Sequence, residues 1–534
     1  MLLSIFGSYR LDDDENWNLQ LRWCKLIQVC RRWRHLVYAS PSHLNLHLLC
    51  TNGTPVADML DQSPPLPLIV NYQNTCAAMI PDDEEGILLA LQQHDRVRRV
   101  VLHAPSQGLK KVLTAMNEHF PTLERLSILS TTNDDARLVM PQTFHAPRLS
   151  HLTLLGVTLS AEPRSLASTV SLVSLTLTIP RVSVYFPPED LAAQLQFVPL
   201  LEELSICFSV PIHRSRIQTH HRSIAQELPS LKRFVFRGFS AYLEGLLARI
   251  SAPRLRNFEV TLFNQLIFAL PVLSHFISAT SEPRFPIAHV NFNQTFVSIS
   301  VSNDKEAQGD KPFYVQVSCK PFDWQVSSSA QICSALSRLL AEVEELSLDF
   351  YGQMMSPEWR KEVDSRIWMW YELLKPFEGV KKLRVRHTLA LDLFRALRPN
   401  HNQEPTELLL PELEELEVEE GCEDKFTDFI DVRHEAGNPV QLVVSPSKRD
   451  PKPDRPRPRL PRGAYISSQP LSLNMRIPGS YPASPMPVSR LRLPETAPIS
   501  PLSVNSPSLC PTPLMLPLGG AIEQYLERMR GNPA

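Results

Sequence analysis

The chain has 534 residues, with 54 basic against 56 acidic side chains (net charge −2), 48 prolines and only 17 glycines. So little glycine, with no GxGxxG or GxxxxGK[ST] run, speaks against dinucleotide and P-loop folds, and the near-neutral charge speaks against general nucleic-acid binding. Hydrophobic residues at 43% suffice for a large core, nine scattered cysteines with no CxxC pair suit free thiols in a reducing cytosol or nucleus, and no apolar run reaches a membrane span.

Residues 17–40 read as a basic amphipathic helix. Leu19, Trp23, Leu26, Ile27, Cys30, Trp33, Leu36 and Val37 share one face, and Arg22, Lys25, Arg31, Arg32 and Arg34 lie off it. On spacing alone this is a helix packed on the end of the fold. Within it, Val29-Cys30-Arg31-Arg32-Trp33-Arg34-His35-Leu36 resembles the V-C-[KR]-x-W-[KR]-x-L core of the F-box. That helical motif docks on the Skp adaptor of cullin–RING ubiquitin ligases. Leu2-Leu3-Ser4-Ile5-Phe6 resembles the first F-box helix from its middle onward, without the Leu-Pro pair and acidic residue that open it in the family. The stretches 40–46, 54–60 and 429–442 resemble the continuation and terminal repeat of F-box proteins of basidiomycete fungi, so the likeness spans nearly all of 1–445. The resemblance implies an all-helical F-box-like segment over 1–45 that binds a Skp-type adaptor. Leu3, Ile5, Phe6, Ile27, Cys30, Trp33 and Leu36 would form the motif's core and adaptor surface. It further implies a ligase subunit that presents an unknown target protein and does no chemistry itself.

Residues 46–95 read as connecting or first irregular repeats. From there an L-x-x-L-x-L unit recurs, with Val, Ile or Phe as substitutes. It opens at Val97-Val100-Leu102 and runs through Leu123-Leu126-Ile128, Leu149-Leu152-Leu154, Leu172-Leu175-Leu177 and Leu201-Leu204-Ile206. Leu231-Phe234-Phe236, Leu255-Phe258-Val260 and, more weakly, Ile287-Val290-Phe292 follow, then Val343-Leu346-Leu348, Val380-Leu383-Val385 and Leu413-Leu416-Val418. The mean spacing of about 27 residues falls in the leucine-rich-repeat window. A proline stands two residues before the first apolar position in six units, at 121, 147, 199, 229, 253 and 411, marking the joint where a convex segment gives way to a strand. Helical spacing marks 109–120, 190–197, 241–250, 330–342 and 389–397. The expected fold is therefore α/β: short F-box-like helices, then a leucine-rich-repeat solenoid of strand-plus-helix units over 96–445. The stretch near 293–340, with strand-like 295–301 and 314–319, has no assignable register.

Side chains alternate along a strand, so the residue between the last two apolar positions faces away from the core, on the concave side of a solenoid. Those residues are Ser127, Thr153, Thr176, Ser205, Val235, Glu259, Ser347, Arg384 and Glu417. The pairs Glu202-Glu203, Lys232-Arg233, Glu344-Glu345, Lys381-Lys382 and Glu414-Glu415 alternate in sign, which suits either a surface that reads a protein partner or charges that merely solvate strand ends. No catalytic constellation or cofactor motif is evident: His220-His221 lacks further ligands, and the acidic clusters 12–15 and 82–85 lie in turn-like segments. Residues 446–534 carry 19 prolines among Ser and Arg, the composition of a disordered tail, with a basic run from Lys448 to Arg462 and four Ser-Pro pairs. A repeat scaffold that binds protein without a ligase role is the alternative reading.

Overall fold

A computed structural model describes residues 29–39, 46–73, 78–132, 137–160, 166–180, 185–209, 225–280, 285–303, 312–351, 367–386, 389–397 and 409–446. The acidic run 12–15, His220-His221 and the Pro-rich tail lie outside them. Within this range α/β units repeat along one long sheet. Its strands in chain order are β1 (Leu48–Cys50), β2 (Leu68–Gln73), β3 (Val97–Ala104), β4 (Arg125–Ser130), β5 (His151–Leu155), β6 (Ser174–Ile179), β7 (Glu203–Phe208) and β8 (Arg233–Gly238). They continue as β9 (Asn257–Phe263), β10 (Ile287–Asn293), β11 (Val297–Ser302), β12 (Phe313–Ser318), β13 (Glu345–Tyr351), β14 (Lys382–Val385), β15 (Glu415–Glu419) and β16 (Gln441–Ser445).

Neighbouring strands are parallel and in register through their leucines. Val100 pairs with Leu126, Leu126 with Leu152, Leu152 with Leu175 and Leu175 with Leu204. Every one of these side chains is at most 2% exposed, because each is covered by the equivalent residue one unit away. Two strands precede the first unit expected from sequence, since Val70 and Tyr72 of β2 pair with Val100 and Leu102, and Cys50 of β1 pairs with Val70.

The helices fill the other layer: α1 (Arg31–Ala39), α2 (Val56–Gln62), α3 (Pro81–Gln92), α4 (Ser106–Ala115), α5 (Pro188–Leu195), α6 (Ser240–Leu247), α7 (Pro271–Thr280) and α8 (Phe322–Ala335). After the short α9 (Ser337–Leu340) come α10 (Ile367–Leu374), α11 (Leu389–Leu397) and α12 (Thr427–Glu435). Not every unit has one. Between β4 and β5 the chain instead makes a two-residue strand, Leu138–Val139, paired with Val157–Thr158. The acidic residues 82–85 are not in a turn. They open α3, with Asp82, Asp83 and Glu84 in its first turn, where carboxylates meet the positive end of the helix dipole, and Asp83 Oδ1 accepts the Gly53 N–H at 2.6 Å.

The six recurrent prolines sit in a β-turn rather than at the end of a helix. The N–H groups of Leu123, Leu149, Leu201, Leu231, Leu255 and Leu413 bond the carbonyls of Phe120, Ala146, Val198, Leu228, Ala252 and Leu410 at 3.1–3.4 Å, with the proline in the second position. Its fixed φ suits that position, and the residue before it points into the core. Units without the proline close the same bond, as Leu172 does to Thr169 at 3.0 Å and Val343 to Leu340 at 3.2 Å. A second set of prolines (Pro81, Pro188, Pro271) opens helices, at positions where the missing N–H has no acceptor to lose.

The irregular stretch is an inserted hairpin. The spatial order of strands runs β9-β12-β11-β10-β13, so β10 lands three places beyond β9 and the chain doubles back to fill the two-strand gap. β11 is antiparallel to both neighbours, and β12 returns parallel to β9. Phe258 then stacks on Phe234 at 5.4 Å and on Phe313 at 5.6 Å, which ties β8, β9 and β12 through one aromatic column. This corrects the register read from sequence. Ala288 and Val290, not Val290 and Phe292, pair with Leu346 and Leu348, while Ile287 pairs with Glu345 on the other face.

Both ends of the sheet are capped. At the amino end, α1 buries Val37 completely, and Trp33, Leu36 and Tyr38 lean on the same core. At the carboxyl end, Arg433 of α12 is 1% exposed and donates to the carbonyls of Leu410, Pro411 and Leu413 at 3.2–3.3 Å. These carbonyls belong to the last β-turn, where Leu410 has a φ of 52°, strained for a residue with a Cβ. Arg433→Met should therefore cost about 2–4 kcal/mol, since it leaves buried acceptors unpaired and releases that turn. Chemical denaturation measures it, and a loss below about 0.5 kcal/mol would contradict the capping role.

Candidate protein-binding face

The face of the sheet opposite the helices carries one continuous row of side chains. Strand register links Ser127 to Thr153, Thr153 to Thr176, Thr176 to Ser205, Ser205 to Val235 and Val235 to Glu259. The row crosses the insertion through Tyr314, Ser300 and His289, then resumes with Ser347, Arg384 and Glu417. All nine residues expected on this face therefore fall on one line. The three from the insertion escaped sequence reading because the direction of β11 cannot be deduced from its alternation of Val and Ser.

The two halves differ in chemistry. In the amino-terminal half the four hydroxyl side chains form a low track. On one side of it stand Arg99, Arg125 and His151 in register, and on the other Leu129 and Leu155. Burial lowers the pKa of His103 and of His151, the latter helped by the Arg125 charge, so both imidazoles tend to stay neutral. Glu203, in the same row as His151, works the other way on it. Small polar groups beside cations and leucines can accept an extended or loop segment of a partner at close range.

In the carboxyl-terminal half the charges largely satisfy one another. Arg384 Nε lies 2.7 Å from Glu417 Oε2, Lys382 Nζ 2.5 Å from Glu415 Oε1 and 3.5 Å from Glu417, and Arg386 Nε 3.4 Å from Asp349. The charge pairs that alternate in sequence also meet across strands, as Lys232 does with Glu202 at 2.7 Å and Lys381 with Glu344 at 3.3 Å. These are exposed pairs, each contributing well under about 1 kcal/mol, and they leave less free charge than the sequence pattern suggests. Burial raises the Glu417 pKa, but the Ser445 hydroxyl, the Arg384 hydrogen bond and the Arg384 and Lys382 charges outweigh it and hold the carboxyl below its ordinary value.

Of the residues expected on the adaptor surface, Leu3, Ile5, Phe6 and Ile27 lie outside the described residues. Cys30 is exposed just before α1, its sulfur accepting the Trp33 N–H at 3.5 Å, while Trp33 and Leu36 are half-buried against the solenoid end. Arg31, Arg32, Arg34 and His35 all face solvent. The α1 helix thus combines an anchoring side with an open, basic one. Among the described residues no helix is long and apolar enough to cross a membrane.

No protein-family model matches this chain, and no curated protein matches its sequence. Among solved structures it is similar to the leucine-rich repeat-containing protein LegL7 from Legionella pneumophila, at 10% identity over 70% of this chain and 90% of that one, with a TM-score of 0.23. A score that low leaves the two backbones without a common superposition, so the repeat architecture stands on the strand register itself.

Because the folded Glu417 titrates below its unfolded value of about 4.5, the stability it adds is full at neutral pH and is lost as pH falls below that value. Glu417→Gln should flatten the fall of the melting temperature between neutral pH and the acidic range. Equal acid sensitivity in both proteins would contradict the ladder's role.

Proposed function

We propose that this chain is the substrate-recognition subunit of a cullin–RING ubiquitin ligase, holding a Skp-type adaptor at its amino-terminal helices and a target protein on the outer row of the sheet. The reading rests on the F-box-like residues Val29 to Leu36 and on one geometric observation that supports it. Trp33, Leu36 and Val37 fix α1 to the solenoid end while Cys30 and the arginines of the same motif stay open. A docking helix fixed to the repeats would hold a bound target at a set distance from the ligase, and proximity is the whole of the mechanism. No group in this chain needs to act as acid, base or nucleophile.

Co-expression with a Skp-type adaptor tests it. The adaptor should co-purify with the full chain, and Ile27→Asp or the exposed Cys30→Arg should remove it, with Cys30→Arg leaving the melting temperature unchanged. A wild-type chain that retains no adaptor contradicts the proposal.

The complete burial of Val37 also supports a second reading, a protein-binding repeat scaffold in which α1 is only a cap. Deleting residues 1–40 separates the two. Because α1 closes the sheet end in either case, the deletion should lower the melting temperature under both readings; it removes a bound adaptor only under the first, and under the second the wild type binds none.

A further inference from the structure

Outside the outer face, the turns that lead into β4 and β5 bring two imidazoles together. His119 and His145 stand four residues before Leu123 and Leu149, the same position of adjacent units, and form a parallel bridge. The backbone there is fixed on both sides: the Phe120 N–H donates to the His145 carbonyl at 2.7 Å, and the His145 N–H to the Glu118 carbonyl at 3.3 Å. The adjacent Phe120 and Phe144 are buried and anchor both segments in the core. Thr143 further bonds the carbonyl of Asn117 at 3.3 Å, with the two side chains also in contact. Both rings are exposed, tilted 39° to one another with centroids 4.4 Å apart, and their Nδ1 atoms approach to 2.6 Å.

We propose that His119 and His145 form a bidentate site for a divalent transition-metal ion of imidazole preference, such as Zn²⁺, Ni²⁺ or Cu²⁺. A metal with bonds near 2.0–2.1 Å needs its two nitrogens about 2.9 Å apart at a right angle and about 3.3 Å apart in a tetrahedron. Small rotations of two exposed rings supply the difference from 2.6 Å. In the metal-free pair one Nδ1 carries the hydrogen that the other accepts. Binding places both lone pairs on the metal, so the donor ring moves its hydrogen to Nε2, a tautomeric shift with no net loss of a proton. The register confines the site to these two units. The equivalent position in the next unit is Ser168, whose hydroxyl donates to the Phe144 carbonyl at 3.1 Å. Among the described residues no group of three or more His, Cys, Asp or Glu side chains is placed to hold a metal ion, so water fills the remaining positions. The chelate comes from the rigid spacing of the repeat, which presents the second ring at high effective concentration once the first has bound.

Calorimetric titration of the full chain with ZnCl₂ tests this, with His119→Ala, His145→Ala and Asn117→Ala as comparisons. The wild type and Asn117→Ala should show a site that each histidine variant weakens by at least about tenfold, and Zn²⁺ should raise the melting temperature of the first two proteins only. Unchanged metal-free melting temperatures show that the variants fold. Equal Zn²⁺ affinity and stoichiometry in wild type and both histidine variants, or no binding to the wild type, overturns the assignment.

Discussion

No strand of this sheet can bury its inward side chains by itself. Leu126, Leu152, Leu175 and Leu204 are each shielded by the residue at the same position one strand away, so the fold exists only where register is kept from unit to unit. The rest follows from that constraint. The β-turns before Leu123 or Leu231 reset the chain to the same height each time, and proline stabilises the turn by fixing φ before folding. The ends, which have no neighbour, need α1 and the buried Arg433 to close them.

The insertion tests the constraint most severely. After β9 the chain skips two strand positions, and a stack with a gap there would expose Phe258 and the neighbouring core. The return of β11 and β12 fills the gap without breaking either ladder. β11 can do so because an antiparallel strand satisfies parallel neighbours on both sides through its own pairs with β10 and β12. Its outward serines, Ser298, Ser300 and Ser302, are buried among larger neighbours such as Tyr314, whose hydroxyl bonds Gln316 at 2.7 Å. The outer row therefore keeps its register from hydroxyls to charges, and at Ser300 it runs beneath its larger neighbours.

Much of this was legible in the sequence, and for a physical reason. A period-two strand inside a longer repeat fixes both the buried pair and the residue between them, so the sequence alone is enough to place Ser127 through Glu417 on one face. Leucine spacing could not reveal β1 and β2, where Cys50, Val70 and Tyr72 take the repeat's apolar positions. Nor could it show that Ile287 faces outward, because it is buried at the start of β10 beside β11, whose two faces are both covered, and an apolar residue fits there on either side. Arg433 reads as a surface charge on α12, and only the convergence of carbonyls from the last turn explains its burial. The His119–His145 pair was equally hidden, since the two residues are separated by a full repeat and become neighbours only once the register is known. Of the seven residues that the F-box likeness assigns to the adaptor surface, Cys30, Trp33 and Leu36 are among the described residues, and the likeness itself rests on sequence.

Native-state hydrogen exchange of the backbone amides in β10, β11 and β12 tests the continuity of the stack most directly. If the hairpin is an integral part of the nearest-neighbour ladder, these amides should exchange with the same opening free energy as those of β9 and β13. Exchange of the hairpin about a hundredfold faster than its flanks would mean that the sheet is two stacks joined by a loosely held insert, and would contradict the single outer face described above.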